Sequence, residues 1–201
     1  MSEFINPELS YESAEWSSAD DAKKAYAEGG SVITSVTMTD CKMAGGTLHL
    51  YKDTTIYDGH FSDLRVGNPS FFARSNITLV FSGAYANSIL VETDAVASIS
   101  SDDYGDYAHV NSLLVCGQAN LGDADIVFLT VDRTGYARVQ QTAEVGNIEI
   151  YGTVDCRSTR VKHILLHAGG KIYVRKDLDK SIIKCDEGRE MFIDKDGWIC
   201  G

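Results

Sequence analysis

The densest run of reactive side chains lies between Ser100 and His109. There Asp102, Asp103 and Asp106 stand among Tyr104, Tyr107 and His109. Clustered carboxylates suit hard cations or basic side chains, and tyrosines supply large, rigid contact area at interfaces. The run therefore has three readings. It is a solvated insertion, a protrusion that holds a partner through Tyr104 and Tyr107, or a calcium site at Asp102, Asp103 and Asp106. The carboxylate spacing is not that of an EF-hand loop. Asp102, Asp103, Tyr104, Asp106, Tyr107 and His109 are taken as the candidate partner contacts. No residue is assigned to catalysis, to a cofactor or to a metal.

Other chemistry-bearing types are spread out. Acids recur at similar intervals at Asp106, Asp123 and Glu144, while Asp155 and Asp177 fall at another phase. No such row also carries an Arg or Lys in an evident catalytic set, as a polysaccharide lyase or hydrolase needs. The five histidines are His49, His60, His109, His163 and His167. His163 and His167 flank the apolar run Ile164–Leu166 and read as exposed alternates. No phosphate loop, dinucleotide fingerprint or nucleophile motif is present. The net charge of −11 repels phosphate backbones and excludes nucleic acid as a direct ligand. It suits a basic protein partner or cations. The basic residues concentrate late, from Arg157 to Lys184, an asymmetry that reads first as a charged solvent face, and otherwise as one that orients a partner or drives head-to-tail association.

The elements that position these residues follow from a repeat. Gly117, Gly135, Gly152, Gly170 and Gly188 recur at 18, 17, 18 and 18 residues. Backward from Gly117, similar intervals reach Ser100, Gly83 and Gly67, and a short apolar run precedes each position. A period of this length is the signature of a solenoid, whose coils bury their apolar faces only by stacking. Two residues after the glycines stand Ala119, Ala137, Val154, Ile172 and Glu190, and four residues after them Leu121, Val139, Cys156, Val174 and Phe192, all apolar apart from Glu190. These are two inward rows of one strand. A third row falls near Val127, Val145 and Val161. Three rows predict a three-sided coil. The six-residue series from Leu121 breaks at Arg133 and Arg157, which favours the right-handed form.

Ser17 to Gly30 reads as one short helix. It has a serine N-cap, Asp20 and Asp21 in the first turn, and a Gly29-Gly30 stop. It would cap the first coil. Glu190 to Gly201 reads as a hairpin around the Asp196-Gly197 turn, with Met191–Ile193 and Trp198–Cys200 covering the last coil. Residues 1–16 read as irregular, so the domain reading is an N-terminal segment and capping helix over 1–30, a solenoid of eight to nine coils over 31–189, and a second cap over 190–201. Five cysteines at wide spacing form no disulfide framework or metal set, and Cys156 reads as a small buried hydrophobe. A Cys185–Cys200 bridge is the one pairing considered. The N-terminus lacks a basic-then-apolar leader pattern, and no apolar window is long enough to span a membrane. The chain reads as cytosolic, or as a segment of a secreted protein.

Two segments carry a family resemblance. His167 to Arg175 reads His-Ala-Gly-Gly-Lys-Ile-Tyr-Val-Arg, and Met43 to Tyr51 reads Met-Ala-Gly-Gly-Thr-Leu-His-Leu-Tyr. Both resemble the strand-loop-strand repeats of AIDA-type autotransporter passengers, over roughly residues 31–180. The resemblance implies a right-handed β-helix displayed at a bacterial surface for adhesion. The bactofilins, cytosolic β-helices that polymerise end to end, have a similar coil length. Here a helix and an aromatic hairpin are expected to close both ends.

The fold expectation is thus an all-β, single-stranded, three-sided, right-handed parallel β-helix with two caps. The leading functional expectation is a non-enzymatic structural or binding protein, like an adhesin-like passenger or a phage or surface appendage module. The second is a soluble intracellular acidic protein that binds and blocks or scaffolds another protein. The third is a small carbohydrate-active enzyme. The partner is a protein or a glycan, no cofactor is expected, and a homo-oligomer is among the expectations.

Overall fold

A computed structural model describes residues 15–16, 30–32, 35–43, 45–67, 77–101, 105–186 and 189–201. The chain forms a parallel β-solenoid of about 8 turns. Each coil has three faces. In one representative coil the first face is Gln118–Leu121, and the bent strand Ala124–Val131 supplies the second and third. Every face pairs in parallel with the same face of the coils before and after. On the first face, Ala97, Ala119, Ala137, Val154 and Ile172 lie in register. On the third, Leu113, Leu129, Ile148, Ile164 and Ile183 do the same.

Alternation builds the core. Ala119, Leu121, Ala124, Ile126, Leu129 and Val131 point inward in one coil, and none is more than 1% exposed. Successive side chains of a strand face opposite ways, so two residues per face reach the axis. Full burial of each larger aliphatic contributes about 1.5–3 kcal/mol. Phe61 and Phe81 pack edge to face at 6.3 Å and widen the core near the start of the rod.

The third inward row is corrected by the structure. It runs through Ile126, Val145 and Val161, not Val127. Ile126 pairs with Val145 and Phe128 with Asn147, so Val127 sits at the bend between the second and third faces, opposite Gly146. A β-carbon at Gly146 would press on the Val127 carbonyl.

The glycine phase holds only in the later coils. Gly117, Gly135, Gly152 and Gly170 share the corner between the third and first faces. A β-carbon on any of them would meet a backbone carbonyl, such as that of Val115 for Gly135. Gly83 instead lies at the corner between the first and second faces, where its N–H bonds the Ser100 carbonyl. The backward series therefore crosses from one corner to another at Ser100.

The two ends differ from expectation. Glu15–Trp16 pairs in parallel with Thr37–Met38 and extends the first face, where an irregular segment is expected. The expected helix over 17–30 lies outside the described residues, save Gly30, which begins the strand Gly30–Val32. The C-terminal hairpin forms as expected. Phe192–Ile193 pairs antiparallel with Ile199–Cys200, which in turn pairs antiparallel with Lys171–Ile172. Of the hairpin's described residues, Ile199 and Cys200 are buried on the last coil, and Trp198 packs on its Tyr173. Met191, Phe192 and Ile193 are exposed, so the cap buries one of its strands and not both. None of the five cysteines is in a disulfide, which leaves Cys185 and Cys200 unbridged, and Cys156 is fully buried.

Candidate functional site

Stacking coils places equivalent outward residues in columns about 4.8 Å apart per coil. On the second face one column holds Lys42, His60, Tyr85, His109, Asp125 and Glu144. The bend beside it carries Asn87 and Asn111, because Ala86 and Ser88, and Val110 and Ser112, occupy the paired positions on either side. Asp58 and Gly59 form the preceding corner at positive φ of 54° and 108°. Aspartate tolerates that region better than most residues, and glycine adopts it freely.

Lys42, Asp58, His60, Tyr85 and His109 line a groove of about 290 Å³, together with Tyr107 from the corner that precedes His109. The Tyr85 and His109 rings stack at 5.3 Å and 5°, and His60 lies 5.4 Å from Tyr85 on the other side. His109 Nδ1 faces Asp125 Oδ2 at 2.9 Å, and its Nε2 faces Asn111 Oδ1 at 3.0 Å. Asn111 Nδ2 donates to the Tyr85 hydroxyl at 2.6 Å. The imidazole is thus engaged on both sides within the protein. A general base needs a nitrogen or oxygen turned to the substrate. The groove therefore presents ring edges, hydroxyls and charges, with Tyr85, Asn111, His109 and Asp125 joined in one network. A second depression on the first face, lined by Ser35, Thr37, Asp53, Thr54, Thr55, Thr78 and Val80, offers hydroxyls and one carboxylate. The carboxylate is spent on the Thr78 N–H at 2.8 Å.

The expected contact residues divide. Tyr107 and His109 line the groove, and Tyr107 is 56% exposed at its rim. Asp106 is exposed on the same turn but is not among the groove's lining residues. Asp102, Asp103 and Tyr104 lie outside the described residues. Among the described residues no group of three His, Cys, Asp or Glu side chains is placed to hold a metal. Lys42, Asp58, His60, Tyr85, Asn111 and Asp125 are the members that residue spacing did not show. Their column crosses two enlarged coils, those between Thr54 and Leu79 and between Ala97 and Ala119, so a fixed period loses it. His167 departs from its reading as an exposed alternate. Its ring stacks on Tyr151 at 3.9 Å and its Nδ1 pairs with Asp186 at 2.8 Å, while His163 is exposed as expected.

The fold and groove define a parallel β-solenoid with a polar, aromatic groove on one face. No family model, curated protein or solved structure matches the chain. The two Gly-Gly segments occupy different corners. Gly169-Gly170 leads into the first-face strand Lys171–Val174, and Gly45-Gly46 leads into the third-face strand Thr47–Leu50.

Proposed function

We propose that the protein is a non-enzymatic β-solenoid that holds a protein or glycan partner in the groove of the second face, as an adhesin-like or appendage module does. One observation carries this reading. The groove's titratable centre, His109, is bound on both nitrogens, while the large amphipathic ring of Tyr107 stands exposed at the rim. Such a site has area and hydrogen-bonding edges, and exposed tyrosines anchor interfaces. The acidic run that leads into Tyr107 favours a partner with basic groups.

The test is binding by wild type, Tyr107→Ala and His60→Ala on a glycan array and against host surface extract. The expected result is a saturable ligand lost at least tenfold in both variants, with unchanged melting. Binding that neither variant alters overturns the groove as the contact. Turnover of a polysaccharide that disappears in Asp125→Asn overturns the non-enzymatic reading.

A further inference from the structure

We infer that the solenoid pairs with a second copy of itself, antiparallel, along the edge between its first and second faces. The order of charge along that edge carries the inference. Backbone hydrogen bonds stack the corner turns in register, Gly122 N–H on Ile99, Gln140 on Leu121 and Arg157 on Val139. The turn at Ser101 precedes Asp106, and the next turn carries Asp123, whose carboxylate faces the Ser101 hydroxyl at 3.4 Å. The third turn, Gln140, Gln141 and Thr142, is exposed and uncharged. The fourth carries Arg157 and Arg160, and the fifth sets Arg175, Lys176 and Lys180 against Asp177 and Asp179, which leaves it basic by one charge.

Acid, acid, neutral, basic, basic is an order that complements its own reverse. A two-fold axis perpendicular to the rod at the Gln140–Thr142 turn sets Asp123 against Arg160 of the second copy, and Arg160 against its Asp123. The turn with Asp106 then meets the turn with Lys176. A contact in which residue i meets j and j meets i is the isologous kind, and it closes as a dimer. The edge's own ion pairs leave charge over. Arg138 and Arg157 share the single carboxylate of Asp155, at 3.5 and 3.1 Å, and Arg175 is matched by Asp177 at 2.7 Å. Arg160 and Lys176 extend the positive end, on a molecule whose net charge is −11. Like charges opposed in a parallel pairing would cost binding, so the order also selects the antiparallel one.

The strip adjoins the groove but does not need the groove's ligand, and its test uses residues outside the groove. Sedimentation of wild type, Asp123→Lys, Arg160→Glu, their equimolar mixture and the double variant is measured at low and high salt. Wild type is expected to dimerise with concentration and to weaken as salt rises. Each single variant is expected to dissociate at least tenfold more readily. In the mixture, one of the two symmetry-related contacts keeps its native Asp–Arg pair, and the other becomes a pair of opposite charges with the signs exchanged. The double variant exchanges the signs of both. Both samples therefore recover the dimer. Lys176→Glu is the second basic variant should Arg160→Glu, which lies one coil from Glu144, disturb folding. A wild type that stays monomeric at low salt overturns the inference and leaves the Tyr107 test standing. A dimer that both single variants preserve, or that the mixture fails to rescue, overturns it equally.

Discussion

Gly135 has no room for a β-carbon, because the Val115 carbonyl of the preceding coil occupies that space. Alanine there must push backbone against backbone. Gly135→Ala is expected to cost about 3 kcal/mol, or roughly 10 °C of melting temperature in a chain of this size. Gly169 differs, since it needs its φ of +82° but has open space around it. Gly169→Ala is expected to cost only about 1 kcal/mol. Thermal melts of the two variants check the order, and equal losses would remove the stacking explanation of the repeat. The cysteines divide in the same way. Burial raises the Cys156 thiol to about 11 and leaves it protonated at neutral pH. Cys116 and Cys185 are half-buried, and their thiols are raised as well, again chiefly by burial. A thiol reagent followed by mass spectrometry is expected to modify Cys116 and Cys185 slowly in the native protein, and Cys41 and Cys156 only after unfolding.

The strands were largely legible because alternation and coil stacking act on the same residues. Ala119 and Leu121, or Val154 and Cys156, are apolar at period two within the coil and apolar again one coil later. Those two constraints coincide wherever the coil length is constant. They part where it is not. The wider coils before Leu79 and Ala119 shift the phase, so the column from Lys42 to Asp125 appears in sequence as unrelated residues. Tyr107 and His109 were visible because they sit beside an obvious insertion. Asp125 and Asn111 were not, because their role comes from a neighbour one coil or one bend away. At the C-terminal hairpin the turn was readable and the buried side was not. Asp194 builds that turn by accepting the Asp196 and Trp198 N–H groups through Oδ1 at 2.9 and 3.0 Å. These bonds, that of Trp198 first, hold its carboxyl below the ordinary carboxylate range. A depressed carboxyl stabilises the fold above its unfolded value, near ~4, and loses that contribution as the pH falls through its lower folded value. The cap is therefore expected to loosen in acid. Trp198 fluorescence in a Trp16→Phe background should report it, since Trp198 packs on Tyr173 at 5.7 Å. Asp194→Asn is expected to remove this acid step while keeping the turn, and a step that survives the substitution assigns it to other carboxylates.

At the scale of the whole molecule the rod is a sum of coils, each in contact only with its neighbours. A whole coil is therefore a unit that can be deleted. Removing Tyr136 to Gly152 takes out one complete coil and joins Gly135 to Thr153, the residue that pairs with Tyr136. Every face keeps its register: Ala119 then meets Val154, Ile126 meets Val161, and Leu129 meets Ile164. All these pairs are apolar and inward, so the shortened protein is expected to fold as a β-solenoid. It should melt in a single transition at a temperature lowered by the loss of one coil interface. A deletion of nine residues, Tyr136 to Glu144, instead sets Val145 at the outward position of Tyr136 and puts inward residues against outward ones in the joined strand, because register decides which side chains reach the core. That variant is expected to lose cooperative melting. The whole-coil deletion also bears on self-association. It removes the uncharged turn Gln140–Thr142 and brings the acidic and basic turns together without changing their order. The two-fold axis then passes between coils, and the reverse complement is preserved. Sedimentation of this variant is expected to show a dimer that still dissociates with salt. A whole-coil deletion that folds but no longer dimerises would mean that the neutral turn itself makes the contact, and that charge order alone is not what pairs the rods.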